Sequence, residues 1–152
     1  MSQPYKDLKD LLKKEFIFAI IGASNDRFHP GFQVYYTMKG AGYHVEPVNT
    51  LDMTIQGDPC FPNLTQLRPF PDVIVLAEEF FPEDDERTRQ KKEENALNIL
   101  KEMRDMGIFR VWMNPRTVTD AIRHFAILEH FEVIDGVSII EEVEKEKGKS
   151  QK

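Results

Sequence analysis

Cysteine is almost missing from this chain. Cys60 stands alone, so no intramolecular disulfide can form and no cysteine cluster can hold zinc. Four histidines are scattered at positions 29, 44, 124 and 130, with no pair at metal-ligand spacing beside a cysteine. No apolar run is long enough to span a bilayer, and no secretory leader pattern opens the chain. Basic charge is also in deficit. A formal net charge of −6, with Lys and Arg interleaved among acids, argues against a general nucleic-acid binder, because neutralising phosphates requires a basic face. These absences leave a cytoplasmic protein with no membrane and no nucleic-acid partner as the expectation. At 152 residues and 41% hydrophobic content there is enough material for one compact core and too little for two.

What is present is organised around one junction. Residues 16–21, Phe-Ile-Phe-Ala-Ile-Ile, form a run of β-formers that breaks at Gly22, passes through Ala23 and Ser24, and meets Gly31 where a helical pattern begins. A strand, a small-residue turn and a helix N-terminus together make an anion site, because unpaired N–H groups and the positive end of the helix dipole face one cavity. The dinucleotide fingerprint wants glycine where Ser24 and Arg27 stand, and the loop before Gly31 is longer than that fingerprint allows. A nucleotide diphosphate other than an ordinary nicotinamide ligand is favoured.

Further along, strands are expected at 16–21, 44–48, 73–77, 109–113 and 132–134, and helices at 31–40, 86–106, 118–129 and from Val137 into the tail. An amphipathic segment precedes them at 5–14. Residues 51–68, with Gly57, Pro59 and Pro62, read as a loop with at most a short helix. The alternation predicts an α/β, Rossmann-like, doubly wound sheet of about five mainly parallel strands with helices on both faces. The expected organisation is one domain over 1–144, followed by a charged, disordered tail over 145–152. Phe109, Trp112 and Phe131 are expected in the core.

In such a sheet, ligands lie beyond the carboxyl ends of the strands. The candidates are therefore Gly22, Ala23, Ser24, Asn25, Arg27, His29 and Gly31 after the first strand, Pro47, Val48, Asn49 and Thr50 after the second, Ala77 after the third and Asn114 after the fourth. The acidic run 78–86 is read first as a solvated helix start, since acids suit the N-terminal dipole and Arg87, Arg89, Lys91 and Lys92 follow. Its alternative use is a cation site, although the spacing does not suit a calcium loop, or an interaction surface anchored by Phe80 and Phe81. No nucleophile, base and orienting partner can be assembled from these residues, so no catalysis is expected.

Taken in order, Gly22-Ala23-Ser24, Gly31, the segment 42–49 (Gly-Tyr-His-Val-Glu-Pro-Val-Asn), 60–64 (Cys-Phe-Pro-Asn-Leu), Pro71-Asp72-Val73, 110–115 (Arg-Val-Trp-Met-Asn-Pro) and 133–136 (Val-Ile-Asp-Gly) resemble the small stand-alone CoA-binding domain family. That family is itself similar to the CoA-binding domain of the succinyl-CoA synthetase α subunit. The resemblance implies CoA or acyl-CoA as the ligand, with Gly22, Ala23 and Ser24 at its diphosphate and Pro47, Val48 and Asn49 beside its adenosine. Its arm would run toward Ala77 and Asn114. Departures are specific. His29 stands where the family usually has a cation, Thr50 and Leu51 replace its Pro-Lys, and Asn114-Pro115-Arg116 replaces its Gln-Pro-Gly. Arg27, or a protonated His29, is expected to supply the phosphate partner instead. Two other readings stay open. One is an NAD-type dinucleotide sensor in which Glu46 meets a ribose hydroxyl; the other is a degenerate nucleotide domain kept as a protein-interaction module, with a homodimer or a different protein as partner.

Overall fold

The computed structural model describes residues 11–150. Five strands form one parallel sheet: β1 (Ile17–Ile21), β2 (His44–Val48), β5 (Val73–Leu76), β6 (Arg110–Met113) and β7 (Glu132–Asp135), in the order β2-β1-β5-β6-β7. A separate two-stranded hairpin, β3 (Thr54–Ile55) and β4 (Asp58–Pro59), lies between β2 and β5 in the chain. The α/β, Rossmann-like expectation is met, and each of the five strand segments read from the sequence is a strand of the sheet.

Alternation within the strands decides the layers. Ala19, Ile21, Val48, Ile74, Leu76, Val111 and Met113 point to one face, where they meet α2 (Glu86–Met106), α3 (Asp120–Leu128) and a 3-10 turn at Leu64–Gln66. Phe18, Ile20, Val45, Val73, Val75, Trp112 and Ile134 point to the other, against α1 (Pro30–Gly40) and α4 (Ile139–Ser150). Central strands buried on both sides need apolar residues at nearly every position, and β5 reads Val-Ile-Val-Leu with all four buried. Trp112 is fully buried, and its indole N–H donates to the Val137 carbonyl at 2.8 Å, so burial leaves no polar group unpaired.

The helices carry their own stop and start signals. The Asp85 carboxylate caps α2 by accepting from Thr88 N at 2.8 Å, and Gly107 ends it in the left-handed conformation at φ 78°. Only Ile99, Leu100 and Met103 of α2 are buried, so its carboxyl half packs on the sheet while its amino half is solvated. Thr119 caps α3 through Ile122 N at 3.3 Å.

Four expectations need correction. The segment 51–68 is more ordered than a loop. Gln56 and Gly57, at φ 50° and 87°, make the two-residue turn that suits a hairpin's twist, and the fully buried Ile55 holds it to the core. Residues 145–150, expected as a disordered tail, continue α4, because Ile139 and Val143 are buried four apart and Glu142–Lys145 and Glu144–Lys147 pair along the next turns. Phe109 is 43% exposed, lying ahead of β6, although its ring meets buried Phe131 edge-on. Phe80 is buried with Arg89 over its ring, so it serves the core and offers no surface anchor. The amphipathic segment 5–14 lies largely outside the described residues; its Leu11 is buried.

Candidate functional site

The order β2-β1-β5 places the reversal of winding between β1 and β5, so the crevice expected of such sheets opens between the loop 22–29 and the loop 77–85. Gly22 begins it at φ 88°, with its N–H bound to the Val48 carbonyl at 3.0 Å. A Cβ there would stand 3.0 Å from the Glu78 backbone nitrogen. At Gly31 the demand is sharper. A Cβ would lie 1.8 Å from the Gly22 carbonyl oxygen, so only glycine lets α1 begin this close to the end of β1.

Between the two glycines the loop is built from its own short polar side chains. Ser24 Oγ accepts from Asp26 N at 3.0 Å, and Asp26 Oδ1 from Phe28 N at 3.0 Å. The consequence lies just upstream: among the described residues, the backbone N–H groups of Ala23, Ser24 and Asn25 have no acceptor. Three consecutive free amides just past a strand end are donors available to an anion. The Asn25 side chain is used elsewhere. It donates to the Thr54 carbonyl and accepts from Gln56 N, both at 2.9 Å, tying the hairpin to the loop. Tyr35 and Lys39 complete the attachment, each 2.6 Å from Asp58. Burial and this carboxylate push the Tyr35 hydroxyl well above its ordinary pKa, so it stays a donor.

His29 caps α1. Its Nδ1 accepts from Gly31 N at 2.9 Å, and its Nε2 lies 3.4 Å from Glu78. This contact with Glu78 holds the His29 pKa above its ordinary value, against the opposing effect of burial. Its ring therefore serves the helix start and Glu78. Arg27 is exposed, and among the described residues no ion pair holds it.

The loop after β2 is a latch. Asn49 donates to the Ala23 carbonyl at 2.6 Å and accepts from Leu51 N and Asp52 N at 2.9 and 2.8 Å. Pro47 and Val48 are buried, because Phe61 folds back beside them: Phe61 N donates to the Pro47 carbonyl and Asn49 N to the Phe61 carbonyl, both at 3.1 Å. Only Thr50 and its followers are open at this edge. Glu46 sits two residues short of the strand end, 2.7 Å from His44. Cys60 is half-buried, and burial raises its thiol pKa, which disfavours the thiolate.

On the other side of β1, Ala77 is buried and donates to the Ile21 carbonyl at 2.9 Å. Asn114 is 6% exposed and accepts from Ile139 N at 2.9 Å, capping α4. Between them opens a cleft of about 340 Å³, with Phe28, Pro30 and Val34 on one wall and Asn114, Arg116 and Ile140 on others. Phe28 is 91% exposed at its lip. Sequence reasoning brought Ala77 and Asn114 here but did not see that α4 begins at the same place, adding Ser138, Ile140 and Glu141. A strand-end Asn two dozen residues before a helix start gives no sequence signal of that contact.

Three of the six acids of 78–86 are paired with cations within the fold. Glu78 lies between His29 and Lys92, Glu79 holds Arg116 at 2.9 Å, and Asp84 receives Lys92 at 2.7 Å and Phe81 N at 2.9 Å. Among the described residues, no cluster of three or more potential ligands could hold a metal ion, and no helix is long and apolar enough to cross a membrane.

Residues 17–84, which run from β1 through the acidic loop after β5, match the model of the CoA binding domain family. No curated protein matches the chain in sequence. A conserved hypothetical protein from Pyrococcus furiosus shares the fold with a TM-score of 0.70 at 24% identity, over 84% of this chain and 98% of that one. A hypothetical protein from Pyrococcus horikoshii OT3 does so at 0.71 and 18%, over 90% and 87%. The dinucleotide-forming acetyl-coenzyme A synthetase 1 of Ca. Korarchaeum cryptofilum, in complex with phosphate and ADP, superposes at 0.63 and 18%, over 86% of this chain but only 27% of that much longer one. Identities this low show a common fold, whereas the sequence match falls on the very loops that line the crevice. Over residues 17–84, somewhat under half of its length, this chain is similar to the CoA binding domain family.

Proposed function

We propose that this protein binds CoA or an acyl-CoA through the loop Gly22-Ala23-Ser24 and performs no chemistry on it. The observation that carries the reading is the row of unpaired amides at Ala23, Ser24 and Asn25, set at the reversal point of the sheet within the segment that matches the family. Those donors suit the diphosphate, and the nearby start of α1 adds favourable dipole. Arg27, exposed and without an ion pair among the described residues, is the cation for a further phosphate. With Pro47 and Val48 covered by Phe61, the adenosine end lies against Thr50 and Leu51, which are open. From the diphosphate, the pantetheine arm runs into the cleft at Ala77 and Asn114.

The absence of chemistry in this reading follows from how the polar groups are used. Ser24 Oγ is bound to its own loop, His29 Nδ1 is occupied by Gly31 N, and the Cys60 thiol is held protonated. None is paired as nucleophile with base.

Calorimetric titration with CoA, acetyl-CoA, NAD and ADP tests the proposal. Saturable heat with CoA, and a loss of at least about tenfold in affinity for Ser24→Tyr, is the expected result, since a ring at that position occupies the donor set. Tighter NAD than CoA binding, or a Ser24→Tyr variant that binds CoA as the wild type does, would overturn it.

A further inference from the structure

Asn114 holds a polar group that the fold itself does not use. Its Oδ1 is committed to Ile139 N at 2.9 Å, which fixes the orientation of the side-chain amide and leaves Nδ2 with no acceptor among the described residues. The residue is only 6% exposed, yet no fully buried side-chain nitrogen or oxygen among the described residues is unpaired, so this nitrogen reaches the cleft surface. A nearly buried donor without a partner costs free energy unless something accepts from it.

The surroundings restrict what that acceptor can be. Pro30, Val34 and Ile140 give the cleft apolar walls. The one guanidinium at its edge, Arg116, is already held by Glu79 at 2.9 and 3.5 Å and sits in a left-handed backbone conformation at φ 66°, with its carbonyl accepting from Phe80 N at 2.7 Å. Glu141 lines the same cleft, and among the described residues its carboxylate has no ion-pair partner. Among the described residues, no unclaimed positive charge lines the space, and one unneutralised negative charge does.

We infer that Asn114 Nδ2 reads a carbonyl oxygen of an uncharged, carbonyl-bearing chain lying in this cleft, and so selects neutral acyl-pantetheine ligands over those whose acyl group ends in a carboxylate. The inference rests on the CoA reading above and deepens it. The carbonyl belongs either to the pantetheine amides or to a thioester, and the two sources separate experimentally: pantetheine alone suffices in the first case, whereas the second requires acetyl-CoA to bind more tightly than CoA.

Titrations of the intact protein, followed by calorimetry and by the nitrogen-15 side-chain amide resonance of Asn114, test it. Pantetheine and acetyl-CoA shift that resonance and ADP does not. Asn114→Asp keeps an oxygen for Ile139 N and suits the start of α4, but loses the donor; it should bind pantetheine and acetyl-CoA at least about tenfold more weakly and ADP unchanged. Succinyl-CoA should bind more weakly than acetyl-CoA to the wild type. An unmoved Asn114 resonance on pantetheine or acetyl-CoA saturation, or succinyl-CoA preferred to acetyl-CoA, overturns the inference. ADP binding without any gain from pantetheine sinks this inference while leaving the diphosphate loop standing. Pantetheine binding without ADP binding does the reverse.

Discussion

Gly31 and His29 show how tightly single residues set this site. Gly31→Ala would put a methyl 1.8 Å from the Gly22 carbonyl, and both partners are backbone, so either α1 or the loop must move. We expect a loss of about 1–3 kcal/mol in stability, as for other overpacked positions, together with loss of CoA binding. Thermal unfolding and calorimetry on the one variant check both; an unchanged melting temperature would contradict the close approach. His29 gives a pH dependence whose sign is fixed. Its folded pKa is raised above 6.5 by Glu78, so the folded state holds the extra proton more firmly than the unfolded chain does. The resulting stabilisation is fully present below pH 6.5 and is lost as pH rises through the folded value. His29→Asn keeps a cap acceptor for α1 but cannot titrate, and its stability should show no such decline across that range in denaturant titrations. None of this was legible from the residue types. The sequence marks His29 as a polar residue near a helix start, but only the fold brings Glu78, from a loop some fifty residues away, against its ring.

At the scale of elements, the hairpin β3–β4 is the informative case. It buries Ile55 and is otherwise held by side chains: Asn25 to Thr54 and Gln56, and Tyr35 and Lys39 to Asp58. Asn25→Ala should release it, raising hydrogen exchange across residues 54–59 and costing about 1–2 kcal/mol. Protection that stays as in the wild type would mean that Ile55 and the Tyr35 and Lys39 contacts to Asp58 suffice to retain the hairpin. The Asp58 carboxyl pKa is lowered below 3.8 by Lys39 and then by the Tyr35 hydroxyl. Its contribution is therefore present above that value and is lost as acid titrates the folded group, so this segment should loosen at the acid end of a pH series. The sequence reading placed a loop here because two-residue strands show no periodicity, and because Gln-Gly is a weaker turn signal than Asn-Gly or Asp-Gly. By contrast α2 was readable from end to end: Asp85 before it and Gly107 after it are local signals that need no tertiary partner.

For the whole molecule, the sheet separates two apolar layers, with Trp112 in the α1–α4 layer and its neighbour Met113 in the α2–α3 layer. Because every strand contributes to both, the layers should unfold together. Trp112 fluorescence and far-ultraviolet circular dichroism are expected to give coincident transitions in denaturant, and separated midpoints would show that the layers are independent units. The net charge of −6 leaves the surface acidic as a whole, yet at the crevice Glu78, Glu79 and Asp84 are offset by His29, Lys92 and Arg116. An anionic ligand thus meets a milder local field than composition suggests.

Taken alone, the sequence determined the fold class, the five sheet strands and the position of the small-residue turn after β1. Those depend on hydrophobic period, on glycine where the backbone demands it and on caps, all of which are local in the chain. The tertiary structure alone decided which polar groups remain available. Asn25, His29 and Asn49, all candidate ligand residues by type, are used to hold the loops, while the amides of Ala23, Ser24 and Asn25 and the Nδ2 of Asn114 are left over. The physical reason is that a hydrogen-bonding group is claimed by whichever partner the fold brings within about 3 Å, and those partners come from distant parts of the chain.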